Sequence, residues 1–126
     1  MDAWAHDSLG TKAIFRDLHQ ALVQMGEARL EFHERPGISY SLRGIHRNRS
    51  DRPLFVMIDV IDDDPEQRWL SVCFYGDTIQ DPDELGDLIP EGLLGSDGYC
   101  FDITEADKAL ADYVRRRMRE AYDAGA

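Results

Sequence analysis

Leu54-Phe55-Val56-Met57-Ile58-Asp59-Val60-Ile61 and Trp69-Leu70-Ser71-Val72-Cys73-Phe74-Tyr75, connected through Asp62-Asp63-Asp64-Pro65-Glu66-Gln67, decide the fold. Both runs are apolar at odd and even positions, as strands are when they lie in the middle of a sheet. Their acidic connection has the length of a hairpin, and its proline discourages further pairing at the tip. Two central antiparallel strands are therefore expected, and the other elements arrange themselves around this pair.

Upstream, residues 28–34 and 38–44 alternate apolar and polar positions on either side of Arg35-Pro36-Gly37, which reads as a tight turn. A helix over residues 11–25 precedes them. Ile14, Leu18, Leu22 and Met25 recur at helical spacing, Asp7, Ser8 or Thr11 supplies the cap, and Gly26 stops it. Downstream, Asp81-Pro82-Asp83-Glu84 has the chemistry of a helix start, and Gly86 and Pro90 keep that helix short. Residues 90–98, with Gly92, Gly95 and Gly98, read as a loop, and Tyr99-Cys100-Phe101 as a short edge strand. Thr104 is expected to cap the last helix, with Asp107 in the capping-box position. The fold class is thus α+β: an antiparallel sheet of four main strands and a short fifth, with N- and C-terminal helices packed on one face. Residues 1–126 form one domain, with residues 1–8 as a flexible tail. Val56, Ile58, Leu70, Val72, Phe74, Leu18, Leu22, Leu110 and Val114 are the expected core.

Charge is divided by region. Residues 1–54 hold 8 Lys/Arg against 7 Asp/Glu, residues 55–114 hold 2 against 16, and residues 115–126 hold 4 against 2, for a formal net charge of −11. A negative field over the second half repels nucleic acid and anionic membranes and attracts basic protein surfaces. No run approaches the roughly 18 apolar residues of a membrane span, and the N-terminus lacks the pattern of an export signal. The cytoplasm is the expected location, with Cys73 and Cys100 as reduced core thiols. Asn48-Arg49-Ser50 then has no meaning as a glycosylation triplet.

Asp59, Asp62, Asp63, Asp64 and Glu66 gather five carboxylates, the donor type that hard cations select. Gln67 and Cys73 stand where an EF-hand loop needs glycine and glutamate, so that motif fails. Asp59, Asp62, Asp64 and Glu66 are weighed as cation ligands and set aside for a solvated hairpin tip. Asp59 is set apart by interrupting an apolar strand, and Ser71 or Cys73 is expected opposite it. Arg43, Arg47, Arg49 and Arg52 form a basic patch suited to an anion or an acidic partner surface. Arg115, Arg116, Arg117 and Arg119 are expected to complement the dipole at the end of the last helix. Catalytic signatures are missing: the histidines, His6, His19, His33 and His46, all precede the candidate thiols, and a pairing of Cys73 with His33 or His46 has no support in spacing. Nothing calls for a cofactor.

Two functional classes follow. The preferred one is a non-enzymatic module that binds a basic protein surface or itself, a homodimer included; Leu88, Ile89, Leu93 and Leu94 are expected to fold back on the core, with a dimer contact as the alternative. The alternative is a small enzyme or a ligand- or cation-binding domain using Asp59, Asp62 and Asp64, with Asp77 as a second acid.

Overall fold

A computed structural model describes residues 9–35, 37–47, 53–62, 64, 67–93 and 96–124. Two helices, α1 (Thr11–Val23) and α2 (Lys108–Asp123), flank six strands: β1 (Ala28–Arg35), β2 (Ser39–His46), β3 (Leu54–Ile61), β4 (Trp69–Tyr75), β5 (Asp87–Leu93) and β6 (Ser96–Ile103). All strands pair antiparallel in the order β1-β2-β3-β4-β6-β5. The α+β class stands, and the strand count is six rather than four or five. The expected meander holds through β4. The chain then runs to the far edge as β5 and returns as β6 between β5 and β4.

Parity decides which side of the sheet is buried. Val56, Ile58 and Val60 of β3 lie opposite Leu70 and Val72 of β4 and Leu42 of β2, and all are buried beneath the helices. Phe74, Phe101 and Ile103 extend this layer, and Ile14, Phe15, Leu18 and Leu22 of α1 meet Tyr113, Val114, Met118 and Ala121 of α2 above it. Every expected core residue is in place, Leu110 at its half-buried margin. Ala111 and Arg117 of α2 are buried as well.

Several local expectations change. Gly10 stands at the N-cap of α1, Asp7 and Ser8 lie outside the described residues, and Thr11 Oγ1 donates to the carbonyl of Arg68 at 2.6 Å instead of capping. That helix ends at Val23, with a cap at Gln24 in right-handed geometry, so Gly26 is not its stop. Asp107, not Thr104, caps α2 by accepting from the Leu110 amide at 3.0 Å. The turn between β1 and β2 is as expected, with Gly37 at φ 81°, where glycine alone is unstrained.

The largest change lies at residues 81–93. The expected helix is missing because the carboxylate of Asp81 does more than cap. It accepts from the Leu85 amide at 3.0 Å, the Gly86 amide at 2.9 Å and the hydroxyl of Tyr113 on α2. These bonds close a turn, put Glu84 at φ 54°, and press Gly86 so tightly on Tyr99 that a Cβ there would lie 2.6 Å from the ring. A helix cannot continue from that geometry, so residue 87 begins a strand. Pro90 is tolerated because β5 is an edge, and the pairing is irregular between Ile89 and Leu93. The supposed edge strand at residues 99–101 is part of β6, an inner strand.

Candidate interaction surface

Residues of opposite parity form the second face of the sheet. Among the described residues neither helix lies on this face. A transverse row crosses it through directly opposed positions: His33 on β1, Ser41 on β2, Asp59 on β3, Ser71 on β4 and Asp102 on β6. One step along the strands runs a second row, Glu31, Arg43, Met57, Cys73, Cys100 and Asp87. On the other side, Ser39, Ile61 and Trp69 form a third. Met57, Ile61 and Trp69 are half-buried, while Asp102, Asp87 and Arg35 are exposed.

The two carboxylates of the first row are weak acids. Burial pushes Asp59 upward, against the Ser41 hydrogen bond and the charges of Arg43 and Arg35. Its Oδ1 is shielded from solvent and has no hydrogen-bond partner. Asp102 is raised first by burial and then by the charge of Asp87. The Ser71 opposition expected for Asp59 is therefore observed, with Ser41 on its other flank. Sequence reasoning missed Ser41 and Asp102. The alternation of Ser39, Ser41 and Arg43 was the available signal for the first, and Asp102 was hidden by the misplacement of β6.

Cys73 and Cys100 are directly opposed, 4.2 Å apart at Cα, and are joined by a disulfide. This overturns the expectation of free thiols. Separation of a directly opposed, non-hydrogen-bonded pair is about 4.5 Å, near the span a disulfide needs. With Cys73 oxidised and on β4, while His33 and His46 lie on β1 and β2, no Cys–His pair forms. Leu93 folds over the bridge and is fully buried with Leu54 and Tyr75, as expected of a leucine that folds back on the core and not of a dimer contact. Leu85, Leu88 and Ile89 are exposed at the β5 edge, and Leu94 lies outside the described residues.

The acidic tip is not a uniform wet face. Asp62 is 5% exposed, takes Arg68 Nε on Oδ1 at 2.6 Å and the Gly37 amide on Oδ2 at 3.2 Å. Although burial opposes ionisation, these bonds, the charge of Arg68 and a hydrogen bond from Tyr40 hold its pKa low. The pair ties the β1–β2 turn to the β3–β4 connection, and Arg68 also receives Thr11. Asp62 is thus a structural anion, unavailable as a cation ligand. Asp63 and Glu66 lie outside the described residues. Among the described residues no group of three or more His, Cys, Asp or Glu is placed to hold a metal ion.

The basic patch divides. Arg43 faces the open side from within β2, donating to Ser41 Oγ at 3.3 Å, whereas Arg47 is at the exposed turn after β2. Arg49 and Arg52 lie outside the described residues. The arginines of α2 are not a dipole complement, since no basic residue occupies its last turn. Arg115 pairs with Asp112, Arg119 with Asp123, and buried Arg117 stacks over Tyr113, 4.5 Å from the ring centroid, beside Glu120. Asp77 lines an acidic cleft of about 700 Å³ with Glu91, Asp97 and Tyr99, well away from Asp59.

Comparison of the chain with protein-family models, curated proteins and solved structures returns no match. The residues of the open face therefore carry the functional reading alone.

Proposed function

We propose that the protein is a non-enzymatic interaction module that presents the open face of its sheet to a protein partner. One observation supports it above the rest: half-buried Met57, Ile61 and Trp69 are interleaved there with Ser41, Asp59, Ser71 and Asp102. Apolar residues framed by hydrogen-bonding groups are the composition of an interface, with an aromatic residue as its anchor. The formal charge of −11 disfavours nucleic acid and anionic membranes as that partner. Among the described residues no helix is long and apolar enough to cross a membrane.

The enzymatic alternative fits the same face poorly. In the row His33–Ser41–Asp59 the serine stands between the other two. A hydrolytic triad needs the histidine in the middle, oriented by the acid and abstracting the serine proton. Ser41 is also buried, at 6% exposure, and engaged by Arg43. The cation-binding alternative loses Asp62 to Arg68. A cytoplasmic location stays part of the proposal on the sequence pattern alone; the Cys73–Cys100 disulfide, with Cys100 half-exposed, weighs against it, since such bridges are rare in that compartment.

The test is photocrosslinking in living cells, with a photoreactive residue at Ile61 on the open face or at Arg119 on the exposed flank of α2. Protein adducts of discrete mass from Ile61 alone are expected. Adducts from Arg119 and none from Ile61 would move the interaction surface to the helices and refute the reading.

A further inference from the structure

The open face matches its own reverse. Read across β2, β3, β4 and β6, its central row is Ser41, Asp59, Ser71, Asp102. Turned end for end it becomes Asp102, Ser71, Asp59, Ser41, so each serine meets a carboxylate. The row of Ile61 and Trp69 behaves alike, the two exchanging places. The row on the other side does so only in part: Arg43 comes beside the bridge that Leu93 covers, one residue pair from Asp102, but Glu31 comes over Asp87.

Charge points the same way. On β1 and β2 this face carries Arg29, Arg35 and Arg43 against Glu31, and Glu31 is held by Arg29 at 2.8 Å. On β3, β4, β6 and β5 it carries Asp59, Asp102 and Asp87 and no Lys or Arg. The face is basic at one margin and acidic at the other.

We propose that the partner of this face is a second copy of the chain, stacked face to face about a two-fold axis that runs along the strands between β3 and β4. The proposal rests on the interaction-module reading and names its partner. A two-fold along the strands reverses strand order between copies, setting the β1–β2 margin of one over the β6–β5 margin of the other. A two-fold across the strands would set like charge over like and serine over serine. The first is the more complementary, its one opposed pair of like charges in these rows being Glu31 over Asp87, and it is isologous and closed, as symmetric dimers are. Aligned packing of two such sheets, about 30° apart, is a common arrangement and leaves about 10 Å between them for side chains.

Each copy then supplies what the other lacks. The Ser71 hydroxyl of one donates to the Asp59 carboxylate of the other, while Ser41, buried and already donating to Asp59 of its own copy, adds no bond to Asp102. Trp69 packs on Ile61 across the axis, twice, and gives the interface its apolar centre. Arg43 reaches the Asp102 and Asp87 margin. With the end under Leu93 left out, six strands at about 4.8 Å and about five residues at about 3.4 Å give a face of roughly 500 Å². That is below the roughly 800 Å² per partner of a standard interface, so the dimer belongs with the smaller, weaker ones.

Sedimentation equilibrium of the full chain tests this, with a thermal melt of each variant to establish folding. The wild-type chain should be a dimer. Ser71→Asp sets carboxylate over carboxylate and should weaken association by about tenfold or more, as should Trp69→Ala by removing the apolar anchor. The exchange Asp59→Ser with Ser71→Asp in one chain changes the row to two serines followed by two carboxylates. Reversed, that row again sets every serine over a carboxylate, so the double variant should regain the dimer. If Ser71→Asp does not fold, Trp69→Ala decides whether the face is used. A wild-type chain that is monomeric up to about 100 µM overturns the second copy as partner. The module reading would survive that result if Ile61 still crosslinked a different protein in cells, and would fall with it if Ile61 crosslinked nothing. Weakening by Ser71→Asp without recovery in the double variant would overturn the two-fold.

Discussion

Asp59 and Asp62 are three positions apart in the chain and point to opposite sides of the sheet, and their acidities move in opposite directions. Asp62 has a cation and an amide and ionises readily. Its contribution to stability is present above the pKa of an unfolded aspartate and is lost as pH falls through its lowered folded value. Asp62→Asn replaces the anion that takes Arg68 Nε by a neutral amide and should cost about 1–3 kcal/mol near neutral pH. Asp59 carries the opposite sign. Its folded pKa is raised, so ionisation at neutral pH works against folding, and that penalty fades as pH falls through the raised value toward the unfolded one. Asp59→Asn should therefore stabilise the fold at pH 7, by about 1 kcal/mol or a few degrees of melting temperature, and much less near pH 4. Melts of both variants at the two pH values check the pair. Equal effects of Asp59→Asn at both would show that its carboxylate is unstrained by burial.

At the scale of elements, the disulfide closes a loop of sequence separation 27 that holds the end of β4, all of β5 and the start of β6. Loop-closure entropy for that length predicts about 3.5 kcal/mol of stabilisation. Urea unfolding of the oxidised chain against the Cys73→Ser, Cys100→Ser double variant should show that difference, and coincident curves would deny the bridge its structural part. The same region marks the limit of legibility in the sequence. The helices and β1 to β4 were visible because each has a periodic apolar face, interrupted at Asp59 in a way that located the open side. β5 was not visible, since Asp81-Pro82-Asp83-Glu84 has every local preference for a helix. The tertiary bond from Tyr113, more than thirty residues downstream, turns that segment into a closed loop, and no local pattern encodes it. The disulfide depends in turn on β6 lying beside β4, which follows only once β5 is known to be outermost. Of the acidic tip, composition was legible, but the inward turn of Asp62 required knowing that Arg68 and Gly37 meet there.

For the whole molecule, one face of the sheet does nearly all the packing. Phe74, with no exposed surface, touches Phe101 in an edge-to-face arrangement under the helices. Truncating it should remove about 3–5 kcal/mol, a large part of the roughly 5–15 kcal/mol that holds a domain of this kind together. Phe74→Ala should consequently unfold at a much lower urea midpoint. A midpoint within error of the wild type would mean that the helices are not packed on this side.

The return of β6 between β4 and β5 also bears on how the chain is made. During synthesis β5 leaves the ribosome before the only strand it pairs with, and the inner edge of β4 waits for residues that come still later. α2, which covers that side, is the last element of all. A nascent chain halted before residue 103 would therefore display the apolar side of β4 and an open strand edge, the two features that promote aggregation. Completion of the C-terminal quarter is what covers that apolar side, and incomplete copies of this protein should be substrates for chaperones and proteases.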